Sequence, residues 1–490
     1  MGVATPVGTC GRGVRAGMAT CLGLDIGTTT ITALAIRDPD ATVAAVETRP
    51  TPPRLPAADG RFEWDAEAIA VAAEDCLAAV VRRLTGNDLD VAALGVTGQQ
   101  HGVVVVDAAL RPLTPFVNWQ DRRGDEPGGA GRTVLDDAVD RLGPEAWRRA
   151  GCSLATGHLG LTLHWMQLGG VLPVGTAISI MEFVTARIAG IRPVTEPTCA
   201  AASGLFDVHT RGWDAAAIER LSLPAGLFPE VREATTVVGR VALAAAARTG
   251  LRAGVPLTAP LGDQQAGFVG SVADRRRSAH LNVGTGAQVS AYVDSCDFSP
   301  PLELRPFPVA GNLLTGAVLC GGWSYQVLEA FCRSVGRDVL GVATDVPVYD
   351  RLTTLAASVP AGAEGVVCEP LFSGTRSDPS RRGSWRGLSA GTFTPAHLAR
   401  ALLEGMAREY ADHLAVIREA MPQPPERIVA AGNGLRENAV LQEAVATAAG
   451  LPLVLQRHRE EAALGTALAA AVAAGWFASL DAASAAAQSA

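Results

Sequence analysis

The feature that most constrains this chain is a local pattern that occurs twice. LGLDIGTTT (22–30) is a short apolar strand that ends in an aspartate, turns on a glycine and resumes through threonines; LNVGTGAQVSAYV (281–293) repeats that plan about half the chain later. A strand–turn–strand unit recurring at that interval is most simply an internal duplication, so two halves of similar architecture are expected. The chemistry of the unit is specific. Gly27 permits a turn with outward backbone N–H groups, Thr28 and Thr29 add hydroxyls, and Asp25 at the strand end can hold magnesium, usually through water. Gly284, Thr285 and Gly286 form the second such turn. Together they would grip a polyphosphate; the alternative for either alone is an ordinary tight turn.

That grip would work without lysine, because the chain has none: all 41 basic residues are arginine. P-loop NTPases, protein kinases, pyridoxal-phosphate enzymes and Schiff-base aldolases each need a specific lysine and are excluded. With 490 residues, 48% of them apolar and 18% charged, the chain is long and apolar enough for two large domains. A net charge of −8 argues against nucleic acid and membrane surfaces and for small-molecule partners. The nine cysteines show no CxxC spacing, which fits reduced thiols in a cytoplasm.

Residues 1–17 carry Arg12 and Arg15 without an apolar run, and Pro6 stands where a myristoylation signal needs Ser or Thr. They read as a disordered extension, with Met18 a second candidate start. The Ala-rich run 462–480 is the one candidate membrane span; its large residues Leu464, Leu468, Val472 and Trp476 recur every fourth position, which predicts a helix with one buried face instead. Strands are expected at 22–25, 30–36, 91–96, 102–106, 281–283, 287–293 and 427–431, alternating with helices at 64–84, 395–420 and 438–449, so the fold class is α/β.

Three further clusters carry candidate chemistry. In APLGDQQAGFVGS (259–271), Asp263 is either a helix cap or the carboxylate that accepts a hydroxyl proton during phosphoryl transfer; Gln264 adjoins it. TGQQHGVVVV and FVNWQDRRGDE supply Gln100, His101, Trp119, Asp121 and Arg122, donors, acceptors and an aromatic face suited to a polyol. Structural roles for His101 and Trp119 compete with that reading, and His101 lacks metal-ligand partners nearby. In AAGNGLREN, Gly432 and Gly434 would let a base or ribose approach the backbone, and Asn438 would hydrogen-bond adenine.

The order DIGTT, GQQHG, WQDRR, GDQQAG, NVGTGAQ, SGTRSDPSRRG, AGNGLREN and EEAALGTAL resembles the FGGY carbohydrate kinases over residues 20–475. The resemblance implies two actin-like ATPase (ribonuclease H-like) domains around a central cleft: an extension at 1–19, a mainly sugar-binding domain at 20–271, a mainly ATP-binding domain at 272–480 and a tail at 481–490. By family pattern Asp25 assists magnesium and phosphate, Thr28 and Thr29 meet the γ-phosphate, Asp263 is the base, Gly284, Thr285 and Gly286 hold inner phosphates, and Gly432, Gly434 and Asn438 line the adenine site. ATP and Mg2+ are the implied cofactors, and the family leaves room for a homodimer.

Local stretches such as TGQQHGVVV, LATGHLGLTLHW and LCGGWSYQVLEAF are most similar to sedoheptulokinases, which implies transfer to the terminal hydroxyl of sedoheptulose. Xylulose, ribulose, gluconate and glycerol are the alternative acceptors. Glu182, where the family often has aspartate, and SGTRSDP in place of an SGER-like segment depart from the pattern. An actin-like chaperone ATPase and an inactive sugar-binding regulator are the competing classes; the polar clusters count against the first, and the presence of both Asp25 and Asp263 against the second.

Overall fold

The computed structural model describes residues 19–129, 131–294, 297–342, 346–375, 378 and 380–489. The expected extension at 1–17 and three residues of the SGTRSDPSRRG stretch lie outside them. Strand β1 (Thr20–Ile26) pairs antiparallel with β2 (Thr30–Arg37), and β2 with β3 (Thr42–Pro50). Helix α1 (Ala66–Arg83) then crosses over to β4 (Val91–Gly98), which lies parallel to β1, and β5 (Pro256–Thr258) extends the parallel side. Asp65 starts α1 by accepting the Glu67 and Ala68 N–H groups, and Ile69, Ala73, Cys76, Leu77 and Val80 form its buried stripe. Against that stripe pack Leu22, Leu24 and Ile26 of β1, which leaves Gly23 and Asp25 on the opposite face of the sheet.

Helix α2 (Asp263–Ser271) leads into a second sheet of the same plan. Here β6 (Ser278–Val283), β7 (Ala287–Val293) and β8 (Asn312–Val318) form the antiparallel part, α3 (Pro395–Ala420) crosses over to β9 (Arg427–Ala431), and α4 (Ala439–Ala449) leads to β10 (Leu453–Leu455). The strand order β8-β7-β6-β9-β10 mirrors β3-β2-β1-β4-β5, so the duplication extends from the hairpins to both sheets.

The last two helices depart from expectation. Helix α5 (Glu461–Ala473) packs on β1 and β4 of the first sheet and on α2, and it is buried from Ala463 to Ala471 on every side. One face marked by leucines was expected; alanine and glycine line the others, because backbone touches backbone there. A Cβ on Gly465 would lie 1.8 Å from the Ala266 carbonyl oxygen, and one on Gly270 2.0 Å from that of Glu461. The fully buried Leu464 and Leu468 each contribute about 1.5–3 kcal/mol. Trp476 lies beyond the helix end. Residues expected as a tail form α6 (Leu480–Ser489), which stays folded because Ala483 and Ala487 are buried, Ser484 Oγ donates to the Val269 carbonyl (2.8 Å) and Gln488 Nε2 to that of Gly270 (2.7 Å). Among the described residues no helix is long and apolar enough to cross a membrane.

Candidate functional site

A cleft of 480 Å³ opens between the two sheets. Asp25, Thr28, Gln100, His101, Trp119, Asp263 and Gln264 line it from the first half of the chain; His280, Asn282 and Gln288 close it from the second. Side chains far apart in sequence thus meet because β1 and β4 end, and α2 begins, at the same edge of the first sheet.

Asp263 is the first residue of α2, with Gly262 in the capping position, and its Oδ1 accepts the Gln264 N–H at 2.9 Å. The turn that presents it is held from below. Gly262 N–H donates to Thr198 Oγ1 (2.8 Å), the Thr198 hydroxyl donates to the buried Glu196 carboxylate, and Gln100 Nε2 donates to the Thr198 carbonyl (3.0 Å) and to Gln265 Oε1 (2.9 Å). Gln264 reaches the second sheet, donating to Thr315 Oγ1 at 3.1 Å. Loss of water raises the Asp263 carboxyl to about 6, partly offset by backbone N–H groups. Asp25 is raised to about 8, chiefly by loss of water and then by the charges of Asp263, Glu460 and Glu461.

On the acceptor side, Trp119 is 47% exposed and donates its indole N–H to Thr28 Oγ1 at 3.1 Å; Thr28 in turn donates to Gln99 Oε1 at 3.1 Å. His101 sits at φ +74°, stacks on His158 with ring centroids 4.5 Å apart, and hydrogen-bonds the Ala202 carbonyl through Nδ1 at 2.8 Å. A non-glycine residue in that backbone region costs on the order of 1–3 kcal/mol, which the stack and hydrogen bond help to offset.

Several expected contacts fall elsewhere. Asp121 is fully buried, and its carboxylate is taken by the Arg123 guanidinium (2.6 and 3.0 Å) and the Phe62 N–H (2.8 Å), so it shapes the acceptor wall from behind and cannot reach a sugar. Asn438 is also fully buried: its Oδ1 caps α4 by accepting the Leu441 N–H at 3.0 Å, which removes it from an adenine surface. The glycines at 432 and 434 have a packing cause, since a Cβ on Gly432 would lie 2.5 Å, and one on Gly434 2.9 Å, from the Val283 carbonyl oxygen. Thr29 is exposed at the turn, outside the cleft lining, and Gly284, Thr285 and Gly286 are exposed at the second turn. Glu182 is buried, accepts the Ser179 N–H in a capping box and binds the Thr195 hydroxyl.

Other residues of the site were not singled out from sequence. Glu460 and Glu461 line the cleft at the start of α5, and His280 and Asn282 project into it from β6. His280 and Asn282 alternate with the apolar Ala279, Leu281 and Val283, a period of two that marks a polar strand face. Gly321 and Gly322 brace the second turn from outside: Gly322 N–H donates to the Gly284 carbonyl at 2.8 Å and Trp323 N–H to that of Thr285 at 3.1 Å.

The donor set suits magnesium that arrives with a nucleotide. Asp25 Oδ1 is buried without a hydrogen-bond partner, and no group of three or more ligating side chains able to hold a metal occurs among the described residues. An ion held by one carboxylate, water and phosphate oxygens fits that arrangement; an all-protein cage does not.

Residues 20–270 match the N-terminal domain, and residues 309–474 the C-terminal domain, of the FGGY family of carbohydrate kinases. A glycerol kinase of Trichlorobacter lovleyi is 32% identical over 94% of this chain and 91% of its own length, and one from Bordetella pertussis 29% identical over 94% and 90%. Among solved structures, a xylulose kinase from Rhodospirillum rubrum superposes with a TM-score of 0.82 at 26% identity, covering 95% of this chain and 92% of its own. A gluconate kinase from Lactobacillus acidophilus does so with 0.83 at 21%, covering 95% and 91%. These relatives bear the names of the alternative acceptors and not that of sedoheptulose, the acceptor expected first.

Proposed function

Because the chain belongs to the FGGY family of carbohydrate kinases and has their two-domain actin-like fold, we propose that it transfers the γ-phosphoryl group of ATP to the terminal hydroxyl of a polyol or ketose. Glycerol, xylulose, ribulose and sedoheptulose all belong to that class. The observation that carries the reading is that Asp25 and Asp263 line one cleft together with the polar wall of Gln100, His101 and Trp119. In this reading Asp263 accepts the acceptor's hydroxyl proton, the freed oxygen bonds to the γ-phosphorus, and the bond to the β-phosphate oxygen breaks to release ADP. Magnesium bound with ATP would supply charge neutralisation at the phosphates. Asp25 faces that charge, and the turn at Gly284, Thr285 and Gly286 offers backbone N–H groups to the inner phosphates. Gln264 ties the base's helix to the second sheet, so closure of the cleft would carry Asp263 with it.

The test is ADP release with MgATP against a panel of glycerol, xylulose, ribulose, sedoheptulose and gluconate, with no acceptor as control. Acceptor-dependent release that falls about 10²–10⁴-fold in Asp263→Asn, with ATP binding retained, is the expected outcome. In the wild type kcat/KM should rise with pH through about 6, as Asp263 loses its proton and becomes able to accept one. Release that ignores the acceptor, or a fully active Asp263→Asn, would remove the assignment.

A further inference from the structure

A second chamber of 480 Å³ adjoins the cleft, and His101 and Trp119 border both spaces. Its far side is built from Trp147 and Phe298, packed edge to face with centroids 5.1 Å apart, and from Leu154. Polar groups punctuate this apolar wall: Thr156, His158 and the Glu303 carboxylate. Glu303 does not swing freely, because the buried Arg305 donates to its Oε2 from Nε at 3.1 Å and from Nη2 at 2.7 Å. A space of this size lies in the range of about 300–1,000 Å³ that encloses whole small ligands, and aromatic faces with a few fixed polar groups suit the C–H faces and hydroxyls of a carbohydrate.

Charge narrows the class. Asp25, Asp263, Glu460 and Glu461 line the cleft and the Arg305-paired Glu303 the chamber, while among the described residues no arginine side chain lines either space, and the chain has no lysine to offer. Besides the two stacked histidines, the described residues there include one further base, His280, and burial lowers its imidazole to about 4, so it stays neutral. An acceptor bearing a carboxylate or phosphate would enter a negative field unpaired.

We infer that the chamber holds the distal end of the acceptor, and that the preferred acceptor is therefore a neutral polyol or ketose longer than three carbons. The inference rests on the kinase reading and sharpens it: glycerol would fill the cleft beside Asp263 and leave the chamber empty, and gluconate would fit by length and fail by charge. Chamber contacts made by a long acceptor are kept in the transition state, so they appear in kcat/KM.

The experiment compares glycerol, xylulose, sedoheptulose and gluconate on the wild type, on Ala155→Phe, which enlarges a residue of the chamber lining to fill the space, and on Trp147→Ala, which strips its wall. The wild type should favour xylulose or sedoheptulose over glycerol by about tenfold or more and use gluconate no better than glycerol. Ala155→Phe should erase the advantage of the long acceptors and leave glycerol within about twofold; Trp147→Ala should raise KM for the long acceptors only. Glycerol or gluconate as the best substrate, or substitutions that scale every acceptor alike, would overturn the inference. Calorimetric binding of the same four compounds to Asp263→Asn reads the chamber without turnover. Tighter binding of the long neutral acceptors supports the inference even if the wild type releases no ADP, and equal binding of all four sinks it even if the kinase reading stands.

Discussion

Asp25 and Asn282 occupy the same station in the two halves of the molecule. Each lies on the first strand of its sheet two residues before a glycine turn, each lines the cleft, and each has its parallel neighbour at the matching register, Thr97 for Asp25 and Ala431 for Asn282. The backbone plan is shared and the chemistry is not. Asp25 is an acid held among three other acids with a raised carboxyl, whereas Asn282 is a neutral amide behind an exposed Gly-Thr-Gly turn. Duplication thus supplied one strand–turn–strand scaffold twice, and under the proposed function a single oxygen-for-nitrogen difference separates a station suited to a cation from one suited to an anion.

Making the first hairpin resemble the second is the largest test of that comparison. Asp25→Asn should lower kcat on the order of a hundredfold or more, with the loss read from steady-state ADP release over a magnesium titration. The same change should raise the melting temperature of the nucleotide-free protein. Asp25 is raised from 3.8 to about 8 in the fold, so the folded chain keeps a proton that the unfolded chain has lost, and stability falls as pH climbs through that window. The gain in Asp25→Asn should therefore be larger at pH 8 than at pH 5, on the order of a few degrees. An unchanged melting curve at both pH values would show that Asp25 carries no such strain.

The converse substitution, Asn282→Asp, should raise the KM for ATP by about tenfold while leaving the acceptor KM within about twofold, because it sets a carboxylate where phosphate is expected. Equal effects on both substrates would mean that the two stations are not divided as described. The smallest effects should separate the two sides of the second turn. A Cβ on Gly321 would lie 2.4 Å from the Gly286 carbonyl carbon, whereas a Cβ on Gly286 has nothing nearer than 3.6 Å. Gly321→Ala should cost about 1–3 kcal/mol in denaturant unfolding and raise the KM for ATP several-fold; Gly286→Ala should leave stability unchanged.

The hairpins, the α/β class and the pairing of Asp25 with Asp263 were legible because each is written in a short run of residues with its own turn chemistry. Asp121 and Asn438 were misread for a common reason: a carboxylate or amide in a motif looks the same whether it faces a ligand, an arginine two residues away or the start of its own helix. His280 was legible in part, since alternation along β6 marks a polar face, but alternation does not say that the face borders a cleft.

By itself the sequence determined what is local or periodic: two glycine turns, the strands around them, a phosphate chemistry that dispenses with lysine, and membership of a kinase family. Tertiary structure alone decided which polar groups share a space, that residues after 480 form a helix, and that α5 is buried on every side. The physical reason is the same in each case. Hydrophobic periodicity reports one apolar neighbour, whereas α5 has three, the first sheet, α2 and α6, and its contact with α2 is made by glycine and backbone, which carry no hydrophobic signal to read.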